Sequence, residues 1–178
     1  MYHKQRGYLV TNYDPEGRST IFDQLKNKIE TRFISVGRLD MDSEGLILLT
    51  NDGDLARKLE LPATGWLRKY RVRVHGYVVP KDLAPLKNGI IIDGIRYGRI
   101  DATLDRQQGS NAWLTLSFRE GKNREVRKVM NHLGYNVNRL IRISFGPFNL
   151  KNLPSGELEE VKNKVLNDQL GLSKSKNL

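Results

Sequence analysis

Cysteine is absent from this chain of 178 residues, which excludes disulfides, thiolate chemistry and cysteine-based zinc fingers, and suits a cytoplasmic protein. The three histidines, His3, His75 and His132, lie far apart, and none has carboxylate neighbours at metal-ligand spacing. No metal is expected. No run approaches the ~20 apolar residues of a membrane span, and no secretory apolar segment follows the N-terminus. There is no Walker A loop, no dinucleotide fingerprint, and no locally supported Ser-His-Asp or Cys-His arrangement. Any chemistry is therefore expected to proceed without a cofactor. Tandem repeats and low-complexity linkers are also missing, and the length fits one domain, or one domain with two lobes.

What the chain has in excess is positive charge. Lysine and arginine number 30 against 20 acidic residues, a net charge of +10. Such an excess attracts polyanions, and with no membrane segment nucleic acid is the favoured partner. Hydrophobic residues make up 38% and aromatic residues 8%, enough for a core but lean.

Residue patterns give the elements. Tyr8–Thr11 reads as a strand ending at the turn Asp14-Pro15-Glu16-Gly17, and Thr20-Ile21-Phe22-Asp23 as a capping box opening a helix to about Lys28. Phe33–Gly37 and Leu46–Thr50 read as buried strands, with Asp52 capping a short helix through Leu59. Lys69 to His75 alternates strictly: Tyr70, Val72 and Val74 on one face, Lys69, Arg71, Arg73 and His75 on the other. A short helix over Lys81–Leu86 and strands at Ile90–Ile92, Arg99–Leu104 and Ala112–Phe118 follow. Turns are expected at Asp93-Gly94 and at Gln107-Gln108-Gly109-Ser110. Asn123 is placed to cap a helix to Leu133 with Val126, Val129, Met130 and Leu133 as its apolar stripe. Arg139–Phe145 is a further strand, Glu157–Leu170 a closing helix, and residues 171–178 a disordered tail. Strands outnumber helices without regular alternation, so the class is α+β with a mixed, mostly antiparallel sheet and flanking helices.

Several residues could carry chemistry. Asp40 reads first as a turn-former. With Asp42 it could form a carboxylate pair of the glycosidase kind, but Asp42-Ser43-Glu44-Gly45 is ordinary turn composition and the positive charge argues against that substrate. Tyr70 reads equally as a core tyrosine or as a base-stacking platform beside phosphate contacts. Arg127 sits at the edge of its helix stripe. Its tip is either solvated or, if desolvated, in need of a carboxylate. Lys122, Arg124 and Lys128 form a solvated face or a phosphate-binding one.

The motifs combine. Gly37-Arg38-Leu39-Asp40-Met41-Asp42-Ser43-Glu44-Gly45-Leu46 resembles the GRLDxx[ST]xGL signature of pseudouridine synthases, and Lys69-Tyr70-Arg71-Val72 their K-x-Y-x-V strand motif. Gly121 to Arg127 resembles their third motif, and Leu140-Ile141-Arg142 with Phe145-Gly146-Pro147-Phe148 their fourth. The order and spacing suit the RsuA/RluB branch, which modifies ribosomal RNA. Thr64–Tyr70 and Gly109–Trp113 look most like its RluB type, which acts on large-subunit rRNA. The match runs from about Tyr2 to Val161.

The resemblance implies a pseudouridine synthase fold with a central active-site cleft, in which the N-glycosidic bond of a flipped-out uridine is broken and the uracil rejoined through carbon. Asp40 would be the required carboxylate, and Arg127 its ion-pair partner. Tyr70 would stack on the uracil, and Leu140 would close the apolar side of the pocket. Arg38 would contact the RNA, as would Lys69, Arg71, Lys122, Arg124, Lys128 and Arg142. The expected partner is ribosomal RNA, and the expected state a monomer. Members of the branch usually carry a small S4-type RNA-binding domain ahead of the catalytic one. Here the expectation is a catalytic domain over residues 1–170 with the S4 domain absent. Gln5 also stands where the family commonly has proline. A non-catalytic RNA-binding or ribosome-assembly module is the alternative. It has no reason to keep Asp40, Tyr70 and Arg127 together.

Overall fold

A computed structural model describes residues 1–61 and 64–170. Its first strand, β1 (Tyr2–Lys4), has no counterpart in the pattern read above, because three residues carry too little alternation to register. The segment expected as a strand at Tyr8–Thr11 makes only an isolated bridge, Leu9 with Thr20. The turn at Asp14–Gly17, closed by the Gly17 N–H on the Asp14 carbonyl at 3.1 Å, brings these residues together without a ladder. Helix α1 (Ile21–Leu25) starts at Thr20 with the expected reciprocal capping box to Asp23.

Strands β2 (Ile34–Val36) and β3 (Glu44–Thr50) pair antiparallel, and Asp52 caps α2 (Gly53–Glu60) by accepting from the Asp54 and Leu55 N–H groups. In β4 (Arg68–His75) burial alternates as the sequence requires, with Tyr70, Val72 and Val74 inside. After α3 (Pro80–Leu83) and a 3-10 turn at Ala84–Asn88, β5 (Ile90–Ile92) and β6 (Ile95–Tyr97) form a hairpin around Asp93-Gly94. Strand β7 (Ile100–Gln108) runs through Gln107 and Gln108, which were expected in a turn. Only Gly109 and Ser110 turn the chain into β8 (Asn111–Phe118).

Helix α4 (Glu125–His132) begins one residue later than the Asn123 cap implies, with Arg124 at the cap position. Arg124 adopts a left-handed conformation (φ 51°), and the Glu125 carboxylate reaches back to the Lys122 N–H at 3.0 Å. Strands β9 (Asn136–Phe145) and β10 (Phe148–Asn149) follow, then α5 (Asn163–Leu170). The closing helix is thus shorter than expected. Leu158 bridges to Tyr2, and Glu159 takes a backbone bond to Met1, so this stretch is spent extending the β1 edge. The tail expected at 171–178 lies outside the described residues. Among the described residues no helix is long and apolar enough to cross a membrane.

The main sheet has eight strands, ordered β1-β3-β9-β4-β8-β7, with β2 on β3 and β10 on β9. Only β3 and β9 run parallel, so the sheet is mixed and mostly antiparallel. Close approach of β3 to β9 depends on Gly45: at φ 107° a Cβ there would overlap the Arg142 backbone. Strand β3 divides the core. Ile47 and Leu49 join the larger cluster with Val72, Leu114, Val129 and Met130, whereas Leu46 and Leu48 join a smaller one under α2 with Phe145 and Phe148.

Candidate active site

The connection between β2 and β3 carries Asp40. Gly37, at φ 69°, turns the chain, and its N–H donates to the Glu60 carboxylate at 2.6 Å. Ser43 then donates its N–H to the Asp40 carbonyl at 3.0 Å, closing a tight turn. Asp40 is therefore a turn residue, as its sequence context suggests. The turn is also held from below by Lys4. This lysine is fully buried, and its ammonium donates to the carbonyls of Ser43 (2.8 Å), Gln5 (3.0 Å) and Asp40 (3.1 Å). Burial pushes its pKa down from the ordinary lysine value to about 8, against the opposing pull of Asp42, Asp40 and Glu44.

The Asp40 side chain, 34% exposed, opens on a cavity of about 500 Å³. Tyr70 enters it from β4, its ring backed in parallel by Phe118 at 5.3 Å, and Leu140 enters from β9. Arg38, Arg124 and Arg142 supply positive charge around the same space. Arg142 is almost fully buried: Nε donates to the Leu46 carbonyl at 2.7 Å, and Nη2 has no hydrogen-bond partner among the described residues.

The ion pairing differs from the expectation that Arg127 holds Asp40. Arg127 holds Asp42 instead, through Nη2 at 3.1 Å from the carboxylate and 3.0 Å from the backbone carbonyl, while Nη1 donates to the Val137 carbonyl at 3.1 Å. Its place on the inner side of α4 aims it between β9 and the backbone of the turn, short of Asp40. Arg124, lifted by its left-handed backbone at the helix entrance, reaches both carboxylates, at 3.3 Å from Asp42 and 3.5 Å from Asp40. Burial opposes ionisation of Asp42, but the Arg124 hydrogen bond and the charges of Arg127 and Arg124 prevail and hold its carboxyl below the usual value. Burial likewise lowers the Arg127 pKa, against the pull of Asp42.

The cations expected on RNA divide into two sets. Arg38, Lys122, Arg124 and Arg142 line the cavity. Lys122 is already engaged by Glu120 and the Arg96 carbonyl (2.8 Å) and lies over the Tyr97 ring. Lys69 and Arg71 sit on alternate positions to Tyr70 and point to the opposite face of the sheet. Lys128 is exposed on α4 and does not line the cavity. These three are not part of one site with Asp40.

Sequence reasoning missed Lys4, Glu125 and the clamping role of Asp42. Glu125 is buried at the cavity wall, where burial pushes its carboxyl above the usual range despite the bond from Lys122. One of its oxygens has no partner among the described residues. A lysine on a three-residue strand and a glutamate at a helix start look like surface residues in sequence. Only the spacing Lys122-x-x-Glu125 hints at a capping contact. Among the described residues no group of three or more His, Cys, Asp or Glu is placed to hold a metal ion.

The arrangement is a carboxylate beside an aromatic ring and an apolar wall, within a ring of guanidinium groups. Comparison with known proteins gives it a context. The family described as RNA pseudouridylate synthase matches residues 1–132. An RNA pseudouridine synthase of Rickettsia bellii is 46% identical over 165 residues, covering 93% of this chain and 71% of that protein. The ribosomal large subunit pseudouridine synthase B of Haemophilus influenzae is 42% identical over 162 residues, covering 90% of this chain and 45% of that protein, so the chain spans about half of this longer relative. A crystal structure of a pseudouridylate synthase superimposes with a TM-score of 0.80 at 26% identity, covering 95% of this chain and 71% of that one.

Fold and relatives together define an isomerase of the pseudouridine synthase class. The sequence matches place it further. The chain belongs to the RNA pseudouridylate synthase family, in its RsuA/RluB branch.

Proposed function

We propose that this protein isomerises a specific uridine of ribosomal RNA to pseudouridine, in the large-subunit rRNA, with Asp40 as the catalytic carboxylate. The observation that carries the proposal is the position of Asp40: its carboxylate opens on a cavity that also presents Tyr70, Leu140 and a ring of arginines. Relatives named for the large ribosomal subunit, at 42% and 41% identity, support the choice of RNA.

The reaction is balanced within one nucleotide. The bond from N1 to C1′ breaks and one from C5 to C1′ forms, while the C5 proton leaves and a proton is gained at N1. A base inside a duplex cannot present C1′ and C5 to a carboxylate, so the uridine is flipped into the cavity, at a cost of a few kcal/mol that stacking on Tyr70 partly offsets. Asp40 sits at the positive rim of that cavity, 3.5 Å from the Arg124 guanidinium. On this reading the exposed Arg38 would meet a flanking phosphate and the buried Arg142 the base edge.

The test is pseudouridine mapping on unmodified large- and small-subunit rRNA incubated with wild-type protein and with Asp40→Asn. The wild type is expected to modify one large-subunit uridine. The variant should keep its fold and its RNA affinity and lose activity by roughly 10³-fold or more, about 4 kcal/mol of barrier. Equal modification by the variant removes Asp40 from the mechanism. A wild type that binds rRNA but modifies no uridine makes the protein a binding module.

A further inference from the structure

Strand β4 has two sides, and the cavity uses only one of them. On the other, Lys69, Arg71, Arg73 and His75 are all exposed. The smaller apolar cluster under α2 covers this side of the sheet at β3 and at Ile141 of β9. Over β4, β8 and β7 the side chains on this face are exposed or half-exposed. The register places Trp113 directly beside Arg73 and opposite Arg106, and Thr115 beside Arg71. The Arg71 guanidinium lies 4.8 Å from the centre of the Trp113 ring. The result is a polar sheet face with one half-exposed tryptophan among cations.

The carboxylates on this face do not neutralise it. Asp101 is held by Arg99 and Glu44 by Arg139, and Asp105 accepts from the Thr115 hydroxyl at 2.8 Å. No ion pair among the described residues uses Lys69, Arg71, Arg73 or Arg106. A self-contained sheet face would gain by pairing such charges across strands, since like charges side by side repel. Cations on alternate positions of one strand recur roughly every 7 Å, in step with successive phosphates of an extended strand. The half-exposed tryptophan offers a stacking surface that accepts any base.

We infer that this face is a second RNA-binding surface, engaging phosphates and one unpaired base of the same RNA whose uridine enters the cavity. The connection is short: Arg68 lines the cavity and Lys69, next to it, opens on the far face. An RNA strand passing over this end of β4 meets the cation row at once. This inference rests on the RNA-modifying function proposed above. Charge favours RNA over a protein partner, which would have to bring its own row of carboxylates to an already basic molecule.

The test is the salt dependence of binding to unmodified large-subunit rRNA. The triple variant Lys69→Thr, Arg71→Thr, Arg73→Thr suits the experiment, because the positions are exposed and threonine favours strands. A melting curve confirms that it folds. A control triple variant, Lys58→Ser, Lys81→Ser, Lys87→Ser, removes the same charge from exposed positions elsewhere. Loss of three phosphate contacts should flatten the slope of log K against log salt by about 2. Over a fourfold rise in salt the wild type would then lose about 20-fold more affinity than the triple variant. The control should keep the wild-type slope, and Trp113→Thr should weaken binding about 10-fold without changing it. An unchanged slope in the first triple variant, or an equal change in the control, overturns the inference and leaves the face to a protein partner. Binding and modification are read separately. A wild type that shows the triple-sensitive slope but modifies no uridine defeats the catalytic reading and supports the face. Modification with a slope indifferent to the triple variant defeats the face alone.

Discussion

Replacing Lys4 by methionine removes a charge that solvent does not reach. The ammonium has three carbonyl acceptors within 3.1 Å, on Gln5, Asp40 and Ser43. The Asp40 carbonyl keeps the Ser43 N–H, but the Gln5 and Ser43 carbonyls lose this donor, at about 1–2 kcal/mol each, or about 2–4 kcal/mol together. The charge is itself expensive: lowering its pKa from 10.5 to about 8 corresponds to about 3 kcal/mol of unfavourable burial, which methionine does not suffer. The two nearly cancel, and a net change within about 1 kcal/mol is expected, since methionine also fills most of the space. Stability at one pH is therefore a weak discriminator. Its pH dependence is a strong one. Between the folded value of about 8 and the unfolded value of 10.5, the unfolded chain binds more protons at Lys4 than the folded one. Wild-type stability must then rise with pH relative to Lys4→Met, by about 1.4 kcal/mol per unit, or about 2 kcal/mol from pH 8 to 9.5. Below pH 7 the two curves should run parallel. Denaturant unfolding of both proteins at intervals from pH 6 to 9.5 measures this directly. Curves that stay parallel across the whole range would refute a buried, charged Lys4 beneath the turn. The same variant should lose isomerisation at pH 7 by about 10²-fold, because the carbonyls that fix Asp40 lose their common donor.

Two further outcomes test the architecture around Asp40. Arg127→Met should cost about 1–3 kcal/mol, because it strips a partly buried carboxylate of one of its two arginines, and a double-mutant cycle with Asp42→Asn in denaturant unfolding should show about 1–3 kcal/mol of coupling. Asp42→Asn should also flatten the acid limb of the stability curve. The folded Asp42 pKa lies below its unfolded value, so its contribution is present above about pH 4 and disappears as pH falls through the depressed value. Gly45→Ala should give insoluble protein or a loss above about 4 kcal/mol, because its methyl group meets the Arg142 backbone. Gly37→Ala, at a similarly positive φ but facing open space, should cost only about 1–2 kcal/mol in thermal melting.

The sequence was most legible where one side chain's environment is set by its nearest neighbours. The alternation of β4, the Thr20 capping box and the Asp52 cap are local, and each appears where its pattern places it. Tyr70 and Leu140 reach the cavity for the same reason, since a strand's inward positions follow from its period. The losses are non-local. Strand β1 exists because Tyr2, His3 and Lys4 find Ile47, Leu46 and Gly45 across the sheet, forty-odd residues away in the chain. The clasp of Arg127 on Asp42 depends on the angle at which α4 meets the β2–β3 turn, and no periodicity encodes that angle. Motif order brought Asp40, Tyr70 and Leu140 to one cavity but paired Arg127 with Asp40 rather than Asp42.

That mispairing has a chemical point. A carboxylate gripped by two arginines and tied into its own turn is fixed, and its lone pairs are occupied. Asp42 is in that position, contacted by Arg124 and Arg127 and held below its usual pKa. Asp40 has a single guanidinium contact, and at 3.5 Å it is at the outer limit of a hydrogen bond. On the proposed mechanism this is the more useful arrangement. Asp42 anchors the arginines, so their positive charge stays beside Asp40 without consuming the Asp40 oxygens. On that mechanism Asp40 is oriented by its backbone through Lys4 and Ser43, and its oxygens are free to meet the substrate. Two acidic residues that look like a single turn in the sequence thus divide the work. One holds the charge in place, and the other is left available to react.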